Sequence, residues 1–475
     1  MEIASRNRWF YIAGSILIVA LAAVIRIRAA HNDLWLDEIW SIDFATLITS
    51  PLDVFTKIHH DNNHYLNTLW LYCVGPHGNW LQYRILSIVA GIGTVILAGL
   101  IGRERNMATA VFAMALTTGS YVLILYSSEA RGHASVIFFS FLSYYLLDRY
   151  LKEQRSTVAL LFSFSAVLGL LSHLIFLNFY LAAALWSAVH LIRTQRSVKR
   201  VLVGLCLCHA APVAFVALIY FVDVRHIQLG GGTSINLLHA SLDFLTWALA
   251  PPFADWMRPL SCALTLLVFA AGIVMLWREK SDATIFFVGV TAVFPVLLAF
   301  ISHTESLYLR HFVIGIAFLL IIFSFFLAWL YERGIWGKAI CLILLAAFFV
   351  ANSFPLAALL KYGRGHYRDA VRFMAEHSRK DVVTIGGDHD FRIPIVLQFY
   401  ARQAMGNKRA QYLDHDSLPP EGPEWVVFHK ESFENPAPPA ASIHDKTGND
   451  YDLAQTFPTA PLSGLHWYLY HNRAK

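Results

Sequence analysis

Leu34-Trp35-Leu36-Asp37-Glu38 sets two adjacent carboxylates about ten residues beyond the first membrane-length apolar run, Trp9 to Ile27. Carboxylates beside a hydrocarbon boundary are costly to desolvate, which favours a chemical role over a packing one. The plainer reading is a polar cap, since the helix dipole favours an acid in the first turn of an interfacial helix. The chemical reading is a general base. Apolar Leu34, Trp35 and Trp40 disfavour the charged form and lift the carboxylate toward the range where it can take a proton. Neighbours on a helix point about 100° apart, so Asp37 can face a substrate as the base while Glu38 orients a partner.

Two further clusters carry polar chemistry. In His59-His60-Asp61-Asn62-Asn63-His64-Tyr65, a helix would put His60 and His64 on one face at metal-ligand spacing, with no third ligand in sequence. A hydrogen-bonding wall for a sugar or acceptor, built on Asp61 and His64, and a solvated loop are the alternatives. In Tyr126-Ser127-Ser128-Glu129-Ala130-Arg131-Gly132-His133, Glu129 and His133 share a helix face. Arg131 opens an apolar run and calls for an anion: Glu129, a headgroup or a substrate phosphate. Arg84, Arg310 (flanked by Tyr308 and His311), Arg26 and Arg28 repeat that placement. Each alone can snorkel to headgroups. As a set, these guanidinium groups suit bidentate binding of a phosphate-bearing lipid.

The elements that position these residues are membrane helices. The chain has 475 residues, 57% hydrophobic and 15% charged, too little polar surface to cover a soluble protein. Apolar runs of about 17–25 residues, the bilayer length, number eleven: 9–27, 84–102, 107–126, 131–148, 157–172, 174–192, 201–221, 260–277, 284–301, 311–330 and 338–357. The first run is too long for a signal-peptide core, and Arg26 and Arg28 stand where cleavage wants small neutral residues, so a retained helix is expected.

Lys and Arg gather in alternate short loops: Arg6 and Arg8; Arg103 and Arg105; Arg149, Lys152 and Arg155; Arg193, Arg196, Lys199 and Arg200; Arg278 and Lys280; Arg333 and Lys338. The opposite loops hold Asp33, Asp37, Glu38, Asp43, Asp53, Asp61, Glu129, Asp223, Asp243, Asp255 and Glu305. The positive-inside rule then puts the N-terminus in the cytoplasm and the acidic loops outside. An odd number of crossings carries the C-terminus out with them.

Three outer segments exceed a simple turn. Residues 28–83 contain amphipathic stretches, Ile39 to Ile48 and Leu66 to Val74, suited to interfacial helices. Residues 222–259 carry Gly230-Gly231-Gly232 and Pro251-Pro252 and read as a flexible, lid-like loop. Residues 361–475 follow the membrane domain, 1–360, as a small exoplasmic α/β domain. Its expected elements are helices at Tyr367 to Ser378 and Ile393 to Arg402, and strands at Asp381 to Ile385, Trp425 to His429 and His466 to Tyr470, with a Pro-rich loop at 435–439. Gly386-Gly387-Asp388-His389-Asp390 is either a site contact or a structural turn.

The five cysteines lie in or beside apolar runs, which argues against a disulfide framework, and Cys206-Leu-Cys208-His209 sits mid-span, where cysteine is an ordinary apolar residue. The net charge of +5 comes with no basic stretch interleaved with aromatics, so no nucleic-acid partner is expected.

Taken in order, Trp35-Leu36-Asp37-Glu38, Asp61-x-x-His64, Arg84-Ile-Leu-Ser87-x-x-Ala90-Gly91 and Ser128-Glu129-Ala130-Arg131 resemble the successive signatures of the GT-C integral-membrane glycosyltransferases. The likeness is to family-39-like and protein O-mannosyltransferase-like bacterial enzymes, whose relatives include aminoarabinose transferases. It covers the N-terminal 150 residues and extends loosely to Tyr308 to Phe312 and to Tyr367-Arg368-Asp369-Ala370-Val371. The resemblance implies a polytopic α-helical GT-C fold in a bacterial inner membrane and a polyprenyl-phosphate-linked sugar donor. Asp37 would be the catalytic base, and Arg84, Arg131 and Arg310 would hold the lipid phosphate. Glu38, Asp61, His64, Arg28, Glu129 and Tyr308 would complete the substrate-binding set. His64-Tyr65-Leu66 stands where relatives often carry His-Pro-Pro, a departure on the acceptor side. No cofactor is implied; a divalent metal is compatible with these residues and not required by them. The expected partners are the donor lipid, an acceptor glycan, lipid or protein, and membrane lipids. A flippase or transporter of lipid-linked sugars is the rival class, although transport wants ionisable groups near the midplane. A glycan ligase or polymerase is the rival enzyme.

Overall fold

The computed structural model describes residues 2–230, 235–302, 307–431 and 439–475. Expectations resting on Gly231, Gly232, Glu305, residues 435–438 and the side chains of Arg6 and Arg8 lie outside what is described. The chain divides into two compact units: Met1–Arg28, Phe44–Gly78 and Gln82–Phe354; and Ala29–Asp43, Asn79–Leu81 and Pro355–Lys475.

The first unit is a helical bundle. Every expected apolar run falls on helix, and among the described residues eight helices are long and apolar enough to cross a membrane: Ile12–Ala29, Trp80–Arg103, Phe176–Thr194, Val198–His226, Asp255–Arg278, Ala283–Ile301, Leu309–Tyr331 and the helix Gly334–Tyr362. His133–Glu153 and Ser156–Ser172 form further helices of the bundle. The expected run 107–126 is two helices, Met107–Gly119 and Tyr121–Tyr126. Ser120 breaks it by capping the second helix with its side chain, while Asn352 Oδ1 accepts the Tyr121 N–H at 2.8 Å.

Val313–Tyr331 is buried along almost its whole length and packs against Met107–Gly119 and Arg258–Arg278. Against its Phe318 ring, those of Tyr144, Phe179, Phe286 and Phe287 stack or meet edge to face. By contrast Ile16, Leu17, Leu21 and Val24 on the first helix are exposed, an apolar surface suited to hydrocarbon.

Some of the polar loops that share an expected side contact one another. Loops expected inside contact one another: Lys152 pairs with Glu104 at 3.1 Å, Arg193 with Asp282 at 2.6 Å, and Arg105 with Glu279. Loops expected outside do the same: His59 meets Asp223 at 2.5 Å, and Gly230 donates its N–H to Asp61 at 3.2 Å. The expectation of a flexible 222–259 loop needs correction. Leu237–Trp247 is a helix, capped by Asn236, with Phe244 packed on Phe312; its apolar periodicity outweighs the flanking glycines and prolines.

The second unit holds a six-stranded sheet. Its strands are β1 (Val382–Gly387), β2 (Arg409–Tyr412), β3 (Trp425–Glu431), β4 (Ser442–His444), β5 (Asp450–Phe457) and β6 (Leu465–Asn472), in the order β2-β1-β3-β6-β5-β4. β2, β1 and β3 run parallel, with Ile385 beside Trp425, and the remaining pairs are antiparallel, with Val427 beside Leu469. The helices Tyr367–His377 and Arg392–Ala404 pack together, and Tyr367, Tyr400, Trp425 and Trp467 fill the core. Residues 29–43 belong to this unit: Tyr400 Oη donates to Leu34 O at 2.8 Å, and Arg368 N–H to Asp33 Oδ2 at 2.8 Å. The amphipathic stretches expected in the first outer segment are the helices Leu36–Leu47 and Tyr65–Val74.

Candidate active site

The polar centre of the first unit is built on the break between Tyr121–Tyr126 and His133–Glu153. There the backbone of residues 127–132 is tied from three sides. Asn67 Nδ2 donates to Ala130 O at 2.8 Å, and Ser87 Oγ to Arg131 O at 3.1 Å. Gly132 N–H donates to His64 Nδ1 at 2.9 Å. Gly132 is required for space: a Cβ there would lie 2.1 Å from Ser172 O and 2.9 Å from His64 Cβ.

This framework fixes Arg131, whose Nη2 donates to Asn62 Oδ1 at 2.7 Å. Arg131 and His64 are 3% and 2% exposed, and Glu129, His133 and Arg84 are fully buried. Charges held that deep need charged or hydrogen-bonding company. Glu129 Oε1 lies 3.2 Å from His133 Nδ1. Arg84, in Trp80–Arg103, sits one turn before the Ser87 that reaches Arg131.

Residues 57–64 are not helical, which corrects the shared face expected of His60 and His64. Asn63 explains why: its Nδ2 takes the carbonyls of Val54 and Ile58 and its Oδ1 accepts from Thr68 Oγ1, closing a turn around a side chain. His60 Nδ1 lies 2.8 Å from Asp61 Oδ1, while His64 turns inward to Gly132. Asp61 is exposed at the surface, and the desolvation it does undergo would by itself raise its pKa. The hydrogen bond and charge of His60, the Gly230 N–H and the field of Arg310 outweigh that and hold it below the usual carboxylate range. Arg310 lies over the Tyr308 ring, 4.3 Å from its centroid, and His311 Nδ1 accepts the Tyr308 N–H at 3.1 Å. Burial pushes His64 and His173 well below the usual histidine value, and the positive field of Arg131 and Arg310 adds to it.

Asp61, His64, Glu129, Arg131, Tyr308 and Arg310 therefore form one neighbourhood. Arg28 is exposed on the first helix, and its neighbour Arg26 is buried, donating to the carbonyls of Ala22 and Thr117, a brace between helices. Asp37 and Glu38 belong to the second unit, in the first turn of Leu36–Leu47. Glu38 is fully buried, and its Oε2 accepts the Trp35 N–H at 3.2 Å. The capping role falls on Glu38, and Asp37, partly exposed, lies beside it.

His173 is the neighbourhood residue whose role the sequence did not disclose. One ring nitrogen each from His64, His133 and His173 lies within 4.8 Å of the others. Its signal was a polar Ser172-His173 pair between two apolar runs with no room for a solvated loop.

No protein-family profile and no curated protein sequence matches the chain. Its fold, a helical membrane bundle with a C-terminal sheet domain, is that of the GT-C class. The crystal structure of ArnT from Cupriavidus metallidurans in the apo state aligns over 98% of this chain and 98% of its own, at 11% identity and a TM-score of 0.53. ArnT bound to undecaprenyl phosphate aligns over 96% and 97%, at 12% identity and 0.48. The archaeal oligosaccharyltransferase AglB from Archaeoglobus fulgidus, in complex with an inhibitory peptide and a dolichol-phosphate, aligns over 88% and 70%, at 11% and 0.45.

Proposed function

We propose that the chain is an inverting glycosyltransferase of the bacterial inner membrane, moving a single sugar from a polyprenyl-phosphate donor to an acceptor hydroxyl or phosphate on the outer face. The observation that carries this reading is the cluster of buried Arg131, half-buried Arg310 and three histidines in an apolar bundle, a costly arrangement whose positive field suits an anionic lipid headgroup. The GT-C fold supports it.

In the proposed reaction Asp37 takes the proton of the acceptor hydroxyl. The oxygen attacks the anomeric carbon from the face opposite the lipid phosphate, the bond to the phosphate oxygen breaks, and configuration inverts. Polyprenyl phosphate leaves with its added negative charge, which Arg131, Arg310 and Arg84 stabilise. Each guanidinium contact strengthens as charge develops, and removing one such donor typically costs about 2.7–4 kcal/mol of barrier. Asp61 and His64 would line the acceptor or sugar side.

The test is mass spectrometry of glycolipids, glycans and glycoproteins from cells carrying the wild type or Asp37→Asn. The expected result is a product heavier by one sugar in the wild type, reduced by roughly 10²–10⁴-fold in the variant, the usual contribution of a general base. Undiminished product from inserted Asp37→Asn removes Asp37 from catalysis. An oligosaccharide increment indicates a ligase, and lipid movement with no covalent product indicates a transporter.

A further inference from the structure

His64 precedes the helix Tyr65–Val74, His133 opens His133–Glu153, and His173 turns the chain between Ser156–Ser172 and Phe176–Thr194. Their ring centroids lie 5.3, 4.4 and 5.0 Å apart. Three nitrogens within 4.8 Å of one another always share a point no more than about 2.8 Å from each, a hydrogen-bond length. His64 Nε2 and both nitrogens of His133 are buried without a hydrogen bond, and buried polar atoms as a rule have one.

Counting protons identifies the missing partner. His64 Nδ1 accepts the Gly132 N–H at 2.9 Å, and His173 Nδ1 accepts the Ile175 N–H at 3.2 Å. A neutral imidazole that accepts at Nδ1 carries its proton on Nε2, so both rings present N–H donors there. His133 is reversed: its Nδ1 makes no hydrogen bond, but the Glu129 carboxylate 3.2 Å away favours the proton on that side, which leaves Nε2 an acceptor. The triad thus offers two donors and one acceptor.

A metal ion needs three lone pairs and meets only one. It would also enter the positive field of Arg131 and Arg310. A phosphate oxygen could take both N–H groups, but would face the lone pair of His133. A hydroxyl oxygen accepts two hydrogen bonds and donates one, which matches all three rings.

We propose that His64, His133 and His173 form a subsite for one hydroxyl of the donor sugar, next to the arginines assigned to the lipid phosphate. This rests on the glycosyltransferase reading above and makes the triad the device that distinguishes a charged carrier from a spent one. A site built to hydrogen-bond a hydroxyl rejects a ligand lacking it, because its own polar groups are then left unpaired.

The experiment uses the full chain in detergent micelles with undecaprenyl phosphate and with its mannose, glucose, galactose and 4-amino-arabinose esters as probes. At least one sugar ester is expected to bind roughly tenfold or more tightly than the bare lipid. His133→Phe and His173→Phe, which keep an aromatic ring and remove the acceptor or donor, are expected to collapse that ratio toward one. Equal binding of ester and bare lipid by the wild type, or a ratio preserved in both variants, overturns the subsite alone. Failure of every probe to bind overturns the glycosyltransferase reading with it. Stoichiometric zinc retained by the wild type and lost from His133→Phe overturns it in favour of a metal centre. Should the variants not fold, nitrogen-15 NMR of labelled histidines decides on the wild type: Nε2–H on His64 and His173 with Nδ1–H on His133 is expected, and the reverse on either of the first two overturns it.

Discussion

Gly132→Ala offers the sharpest test of how the cluster is assembled. The backbone there is ordinary, with φ −72° and ψ −7°, so alanine meets no conformational strain, and the whole effect comes from space. The new Cβ would lie 2.1 Å from Ser172 O, whereas real Cβ atoms stay beyond 3.0 Å, so the two segments must separate by about 0.9 Å or more. Neither contact is a flexible side-chain end: one is a main-chain carbonyl and the other the Cβ of His64. Overpacking of this kind costs about 1–3 kcal/mol. The same shift stretches the 2.9 Å bond from Gly132 N–H to His64 and moves Arg131 away from Asn62. Misplacing a binding group by about 1 Å can lower activity about 10²-fold. Gly14→Ala is the control, because a Cβ at Gly14 meets nothing within 4 Å. The assay pairs the thermal unfolding midpoint of detergent-purified protein with binding of undecaprenyl phosphate. If Gly132→Ala matches Gly14→Ala in both, the close approach of residues 127–132 to the Ser172 turn is refuted.

The other perturbations probe separate links. Arg131→Ala should weaken undecaprenyl phosphate binding by roughly 10–100-fold, the worth of a charge-assisted contact, and Arg131→Lys should restore only part because it loses the fork toward Asn62; equal affinity across the three proteins excludes Arg131 from the headgroup site. Asp223 is fully buried and joins His59 Nδ1 and Tyr65 Oη, each at 2.5 Å, so Asp223→Asn should cost about 3 kcal/mol, read as a lowered unfolding midpoint. An unchanged midpoint would show that the clamp carries no stability. Because burial holds His64 neutral well below its ordinary value of 6.5, the unfolded chain takes up a proton that the folded one refuses. Stability should therefore decline below about pH 6.5, by up to about 1.4 kcal/mol per unit from this histidine. His64→Asn should flatten that limb, and an unaltered pH profile would contradict a neutral His64.

Much of this architecture could be read from the sequence because membranes enforce simple rules. Each apolar run fell on helix, because an unpaired backbone group in hydrocarbon is costly enough to mark the sequence visibly. In the sheet domain β1, β3 and β6 were legible as dense β-branched and aromatic runs. β2, β4 and β5 were not: Arg409–Tyr412 and Ser442–His444 are short, and Asp450–Phe457 is half polar, as suits a strand toward the edge of the sheet. Their strand state is imposed by pairing, as Tyr451 beside Asn472 and Phe457 beside Trp467 show.

The site divides along the same line. Arg131, Glu129 and His64 announced themselves because charged or polar residues at apolar helix ends need a reason to be there. Which of them serve structure and which remain open to a ligand is a matter of hydrogen-bond count, invisible in sequence. Arg26 looks like Arg131 in a sequence row, yet it donates to two carbonyls and braces helices. Asn63 looks like a loop residue, yet its three hydrogen bonds abolish the helix that would have placed His60 beside His64. His173 has only the polar Ser172 beside it in the sequence as a signal. It enters the cluster only because the turn at Ser172 approaches Gly132 so closely that a side chain there is excluded. The absence of a β-carbon at one position thus brings the third imidazole within reach of the other two, a coupling between distant residues that composition and spacing do not encode.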